Sequence, residues 1–246
     1  MKHCALAGLF LLSILCSCST TQEPNTLSKA EAKKGFVLLF DGTSTDGWRG
    51  YQKDHFPGKW IIDDNCIRCQ ASGRGEAGAL DGGDIIFDKQ FSNFHLKLEW
   101  KIAEGGNSGI FYLGSEDTAY NAIYRTAPEM QVLDNAKHPD AKLGKDGNRK
   151  AGSLYDLIPA DPQNFKGAGQ WNQAEVIHEN GHVKHIQNGE LVLEVQIGSE
   201  DWKELVANSK FPGLNPNWVD VASKGYIGVQ DHGDDVWYRN IKIKEL

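Results

Sequence analysis

The 246-residue sequence lacks the charge balance of a nucleic-acid binder. Lys and Arg number 26 against 33 Asp and Glu, a net charge of −7 with the signs interspersed. That leaves no basic stripe for a phosphate backbone, so nucleic acid is not an expected partner. No apolar run long enough to cross a bilayer occurs, since a spanning helix needs about 20 residues. Helical patterning is scarce too. Only Asp201 to Lys210, with Trp202, Leu205 and Val206 on one stripe, has clear helical spacing. Internal repeats and low-complexity tracts are absent. Cysteine is sparse where it would matter: of five, Cys4, Cys16 and Cys18 fall in the first 18 residues, leaving Cys66 and Cys69. A Cys-x-x-Cys without a second pair is no zinc site. Residues three apart in a strand point to opposite faces, so a redox role is not expected. A disulfide would need a turn between the two.

The N-terminus reads as a targeting segment. Lys2 and His3 precede an apolar run from Ala5 to Leu15, too short to span a membrane and suited to a signal peptide. Leu15-Cys16-Ser17-Cys18 resembles a bacterial lipobox, with cleavage before Cys18 and lipid on that cysteine. The expected organisation is a signal peptide over 1–17, a polar tether over 18–33 and one domain over 34–246. The expected place is the cell envelope, on the periplasmic side or the outer-membrane surface, with the lipid anchor as the only membrane contact.

The remaining chain is a succession of short strands and turns. Phe36 to Phe40 is an apolar strand before an Asp-Gly turn. Lys59 to Cys69 reads as a hairpin around Asp63-Asp64-Asn65. Residues 70 to 84 read as loop and Asp84 to Phe87 as a short strand. Phe94 to Ile102 alternates apolar and polar residues, the mark of a half-buried antiparallel strand. Trp171 to Gln196 forms a meander whose turns are Asn180-Gly181 and Asn188-Gly189, strong hairpin signals. Two more strands, Gly225 to Asp231 and Val236 to Lys244, close the chain. Many strands with one helix predict an all-β antiparallel sandwich or jelly roll.

One strand has an unexpected second face. In Arg125 to Asn135, Met130 and Val132 form an apolar face, while Glu129, Gln131 and Leu133 share the other. In Tyr226 to His232, Ile227 and Val229 face the core, which puts Gly228, Gln230 and His232 on the opposite side. Glu129, Gln131, Gln230 and His232 are therefore expected to converge on one sheet face, with His185 near and Gly228 opening space. Asn107, Arg125, Tyr155 and Asp156 are further candidate ligand contacts. Trp60 and Trp171 are candidate stacking platforms or core residues. Arg239 shares parity with Trp237, Ile241 and Ile243, and needs a carboxylate partner if that face is buried.

Several blocks, taken in order, resemble a known family: LLFDGTSTDGW (38–48), GNSGIFY (106–112), EMQVLDN (129–135), the 136–158 stretch, WNQAEVIHENGHVKHIQNG (171–189) and the C-terminal 225–246. The chain is similar to the bacterial DUF1080, or 3-keto-disaccharide hydrolase, domain family. The resemblance covers essentially the whole chain after the tether. It departs in Met130, where an aromatic is expected, a packing change on the core face. It implies a concanavalin-like jelly roll of two antiparallel sheets. It also implies cleavage of 3-keto-glycosides supplied by a separate C3-oxidising oxidoreductase. No nicotinamide or flavin is expected in this chain itself.

A conventional glycosidase needs two carboxylates flanking the scissile bond, and no such pair is evident. Glu129 and Asp134 are five apart and fall on opposite faces of a strand. A 3-keto sugar needs less, because the ketone acidifies the C2 hydrogen. A base, a proton donor for the leaving oxygen and a group holding the enolate suffice. The candidates are His232 or His185 as base or acid, Glu129 as partner, and Arg125 or a divalent metal at the enolate. Glu129, His185 and His232 are alternatively metal ligands, since carboxylate and imidazole suit Mn or Zn. A conventional glycoside hydrolase and a non-catalytic carbohydrate-binding lipoprotein are the competing readings.

Overall fold

The structure, a computed structural model, describes residues 23–72 and 81–246. The expected signal peptide, the lipidation site Cys18 and residues 73–80 of the expected loop lie outside them. The described chain is an all-β jelly-roll sandwich of two antiparallel sheets. The strands are β1 (Val37–Leu38), β2 (Trp48–Gly50), β3 (Trp60–Asp63), β4 (Cys66–Cys69), β5 (Ile85–Phe91), β6 (Phe94–Ile102), β7 (Asn107–Gly114), β8 (Glu129–Leu133), β9 (Asn172–Glu179), β10 (His182–Gln187), β11 (Glu190–Gln196), β12 (Gly225–Val229) and β13 (Val236–Glu245). The back sheet has eight strands in the order β11-β10-β9-β6-β13-β4-β3, with β1 pairing β13. The front sheet has five, in the order β2-β5-β12-β7-β8.

The alternation in the sequence sets the layers. On β6, Leu96, Leu98, Trp100 and Ile102 face the front sheet, which answers with Ile110, Tyr112, Met130, Val132, Ile227 and Val229. Met130 is fully buried here, in keeping with a packing position. The hairpin turns fall where the Asn-Gly pairs stand. Asn180 and Asn188 adopt φ of 51° and 50°, and the following glycines 82° and 85°, the conformation a two-residue hairpin requires.

Two α-helices occur among the described residues. One, α2 (Glu200–Ala207), is N-capped by Ser199 and buries Trp202 and Val206. The other, α1 (Lys29–Lys33), has a capping box between Ser28 and Glu31. It falls in the stretch read as tether. From Asn25 onward that stretch is instead fastened to the domain. Asn25 and Asn240 exchange side chain-to-backbone hydrogen bonds, and Glu31 pairs with Lys242 at 2.7 Å.

One parity reading fails for a local reason. β13 carries a register shift between Arg239 and Lys242, with Asn240 at φ 53°. This β-bulge moves Ile241 and Ile243 to the core while Arg239 stays on the outer face with Trp237. Arg239 pairs with Glu99 at 2.8 Å and stacks over Trp171 at 3.9 Å. Trp171 is thus engaged on the outside of the back sheet, and Trp60 is core, 2% exposed, with its indole N–H donating to Gly83. Cys66 and Cys69 are free, buried thiols, and burial pushes Cys66 up to about 11.

Candidate functional site

The outer face of the front sheet divides into an apolar half and a polar half. Register places Ile86, Gly228, Phe111 and Glu129 in one row across β5, β12, β7 and β8. Gln230, whose N–H donates to Gly109, stands in the next row with Gly109 and Gln131. The apolar half is a cluster of Tyr51, Ile86, Phe111, Ile123 and Ala127. A short 3-10 turn, Ile123–Arg125, lays Ile123 over the sheet.

Gly228 therefore does not open space for a ligand. A Cβ there would stand 2.8 Å from the Ile85 carbonyl oxygen and 3.2 Å from Ile123 Cδ1. Its missing side chain admits the neighbouring backbone and Ile123. Gly109 is the glycine that serves the polar half, because the side chain of Glu129 lies across it. Glu129 is 6% exposed, Gln230 5% and Gln131 1%. Glu129, Gln131 and Gln230 do converge on this face as expected. Gln131, however, turns its Oε1 to the N–H of Val132 at 3.0 Å.

His185 is not in this site. The meander face it shares with Val183 and Gln187 is the inner one, and it is fully buried between the sheets. One ring nitrogen meets the Tyr112 hydroxyl at 2.9 Å and the other the Gly152 carbonyl at 3.1 Å. Burial pushes its pKa down to about 4. It is a neutral core histidine, neither base nor metal ligand, and the set Glu129, His185, His232 is not assembled.

Three further candidates serve to hold loops. Arg125 donates to the Leu214 carbonyl at 3.2 Å, and its own carbonyl accepts from Asn215. Asp156 takes Arg149 Nε at 2.6 Å and the N–H of Lys210. Tyr155 donates to Asp140 Oδ2 at 2.8 Å, while Arg149 binds Asp140 Oδ1. Tyr155 still borders the site: its backbone N–H donates to Glu129. Burial first, then the Glu129 carboxylate, raise its hydroxyl above the ordinary range.

His232 lies at the β12–β13 end of the polar half and has company that the sequence did not announce. One ligand atom each from His138, His232 and Asp234 lie within 4.8 Å of one another, all three side chains half-buried. The rings of His138 and His232 meet edge to face at 5.9 Å between centroids. Burial lowers the His232 pKa and Asp234 opposes that shift. Asp234 accepts the backbone N–H of Asn107 at 3.0 Å. The side-chain Oδ1 of Asn107 is buried and has no hydrogen-bond partner, so the expected candidate Asn107 belongs to this corner. Asp84 was also missed. It precedes β5 on the parity of Ile86, and its Oδ1 accepts the N–H of Asp231. No spacing rule links 138 to 232 or 84 to 129, because each pair is joined only by the fold. The available signal was compositional: a His-Pro after β8 and an Asp-His-Gly-Asp-Asp run after β12.

The comparisons agree with this architecture. A family profile described as a 3-keto-alpha-glucoside-1,2-lyase-like domain matches residues 35–244. A Bacteroides thetaiotaomicron protein named 3-keto-disaccharide hydrolase is 50% identical over 228 residues, covering 86% of this chain and 79% of that protein. The solved structure of a candidate glycosyl hydrolase from Parabacteroides distasonis superposes with a TM-score of 0.79 at 30% identity, over 91% of this chain and all of that one. A second Parabacteroides distasonis structure, at 24% identity and a TM-score of 0.67, shares the fold over 86% of this chain. The chain belongs to the 3-keto-alpha-glucoside-1,2-lyase-like domain family.

Proposed function

We propose that this protein is a carbohydrate hydrolase that cleaves 3-keto-glycosides. The observation that carries the reading is the 50% identity to a protein named 3-keto-disaccharide hydrolase. The chemistry of the site supports it: the Glu129 carboxylate lies over a glycine on the sheet face, with imidazoles at the edge. Glu129 removes the C2 proton acidified by the C3 ketone. The C1–O bond breaks as the enolate collapses, and the leaving oxygen takes a proton, leaving an enone. Water then adds at C1 and a proton returns to C2. The sum is glycoside plus water giving 3-keto sugar plus alcohol. In this reading Gln230 and Asn107 bind sugar hydroxyls, and the histidine corner steadies the developing oxyanion. The 3-keto substrate requires a separate oxidoreductase acting at C3. A cell-envelope location through lipid on Cys18 suits encounter with such glycosides.

A second reading, conventional glycoside hydrolysis, is favoured by Asp84, a second carboxylate on the same face as Glu129. Incubation with a disaccharide and with its C3-oxidised form separates the two. Only the oxidised form is expected to be cleaved, with solvent deuterium entering at C2. Equal turnover of the plain disaccharide would overturn the 3-keto reading.

A further inference from the structure

The corner formed by His138, His232 and Asp234 is built more firmly than surface side chains require. His232 and Asp234 flank Gly233, whose N–H donates to Asp231 Oδ1 at 3.0 Å. Asp231 is fully buried and takes Lys59 Nζ at 2.7 Å and the Gly83 N–H at 2.8 Å. The turn carrying two members of the corner is thereby anchored to the residues that lead into β3 and β5. The third member is anchored independently. The N–H of His138 donates to the Asp134 carbonyl at 3.0 Å. The buried Asp134 carboxylate in turn accepts from Gly105 at 2.7 Å and Ala136 at 3.0 Å. Asp234 is oriented through Oδ2 by the Asn107 N–H at 3.0 Å, which leaves Oδ1 for another partner.

Two imidazoles and a carboxylate on separately braced segments form a mixed nitrogen and oxygen donor set. Such a set suits Mn, Fe or Zn better than Mg or Ca, which prefer oxygen alone. The bracing is what a metal site needs, since partners behind the ligands fix their orientation. A second observation points the same way. Asn107 is 5% exposed, and its Oδ1 is buried without a partner. A buried amide oxygen left unmade costs free energy unless something meets it, and this one belongs to the residue that holds Asp234. Around a cation with bonds of about 2.1 Å, tetrahedral donors stand about 3.4 Å apart. Donors already within 4.8 Å reach that spacing by small side-chain rotations. His138 Nδ1 accepts the Asp140 N–H at 3.2 Å, the far end of the ordinary range, a bond this nitrogen would exchange for one to a cation.

We propose that His138, His232 and Asp234 bind one divalent transition-metal ion, with Asn107 Oδ1 as an added oxygen donor. Its role at the enolate oxygen rests on the 3-keto reading above; its existence does not. The full chain after the targeting segment, stripped by chelation and dialysis, is titrated with Zn²⁺ and with Mn²⁺ by calorimetry, and bound metal is counted by elemental analysis. One ion per chain is expected. His138→Gln and Asp234→Asn should each weaken binding at least tenfold, with His232→Gln as a third independent variant. Circular dichroism and thermal melts of the metal-free variants check folding. Glu129→Gln should bind the ion as tightly as the unaltered chain. Binding of neither ion, or binding unchanged in all three corner variants, would overturn the site. One bound ion with no turnover of the C3-oxidised disaccharide would leave the site standing and remove the functional reading. Turnover at full rate in chelated, metal-free protein would separate the ion from the chemistry.

Discussion

The side chain of Glu129 lies across Gly109 of the neighbouring strand, so that a Cβ at 109 would collide with its Oε1 and come within 2.7 Å of its Cδ. Gly109 is not among the residues with positive φ, so the backbone would accept alanine, and the nearest atoms the new Cβ meets all belong to Glu129. Gly109→Ala should therefore displace the carboxylate and lower kcat on a C3-oxidised disaccharide at least tenfold. Glu129→Gln keeps the shape and removes the base; its loss should be about 10²- to 10⁴-fold, the usual worth of a positioned general base. Steady-state kinetics beside thermal melts provide the check. An unchanged kcat in both variants would remove Glu129 from the chemistry.

Gly228 answers to a different neighbour. An added Cβ there meets the Ile85 carbonyl at 2.8 Å and Ile86 Cγ2 at 3.1 Å, and backbone yields less readily than a side chain. Gly228→Ala should cost about 1–3 kcal/mol through overpacking. Ile123→Ala, which empties a fully buried position on the same face, should cost about 2–5 kcal/mol. Urea denaturation with an unchanged m-value measures both. If Gly228→Ala is neutral, the sheet has more room at this point than the contacts allow.

Lys59 and Asp231 form a buried ion pair at 2.7 Å, with side chains 6% and 0% exposed. Removing one partner strands a charge, which typically costs about 3–5 kcal/mol. Asp231→Leu and Lys59→Met should each fall in that range, and the double variant should be less destabilised than the sum. A double-mutant cycle in urea tests this. The single variants should also loosen the 231–234 turn and weaken metal binding at the neighbouring corner.

The fold was legible because its signals are local. Alternation in Phe94–Ile102 and the two Asn-Gly turns each specify strand and hairpin without distant information. The site was legible only in part, for the same reason. Parity put Glu129 and Gln230 on one face. It could not say which face of His182–Gln187 is inner, because Val183, His185 and Gln187 mix apolar and polar residues. Nor could it foresee the bulge at Asn240, a single residue that reverses parity in mid-strand. His138 was invisible because it meets the site through a loop, where no periodicity applies, and Asp84 because the unbroken apolar run Ile85-Ile86-Phe87 after it shows no alternation to read. Gly228 and Gly109 look alike in sequence; only the packed structure shows that one receives Ile123 and the other Glu129.

His185 makes stability depend on pH in a definite direction. Its pKa falls from 6.5 in the unfolded chain to about 4 in the core, so between these values the unfolded state binds more protons than the native one. Stability is thus complete above about pH 6.5 and declines as pH drops toward 4, by about 3 kcal/mol from this group. The group is fully buried, so solvent screening does not dilute the effect. His185→Phe removes the titration. It also takes away the partner of the Tyr112 hydroxyl, which should lower stability at pH 7 by about 1–3 kcal/mol. The variant's free energy of unfolding should nevertheless change less between pH 7 and pH 4.5 than that of the unaltered chain. Urea curves at half-unit intervals of pH would reveal the difference in slope. Parallel slopes in the two proteins would mean that His185 is protonated in the native state and that its contact with Tyr112 is not the neutral one argued here.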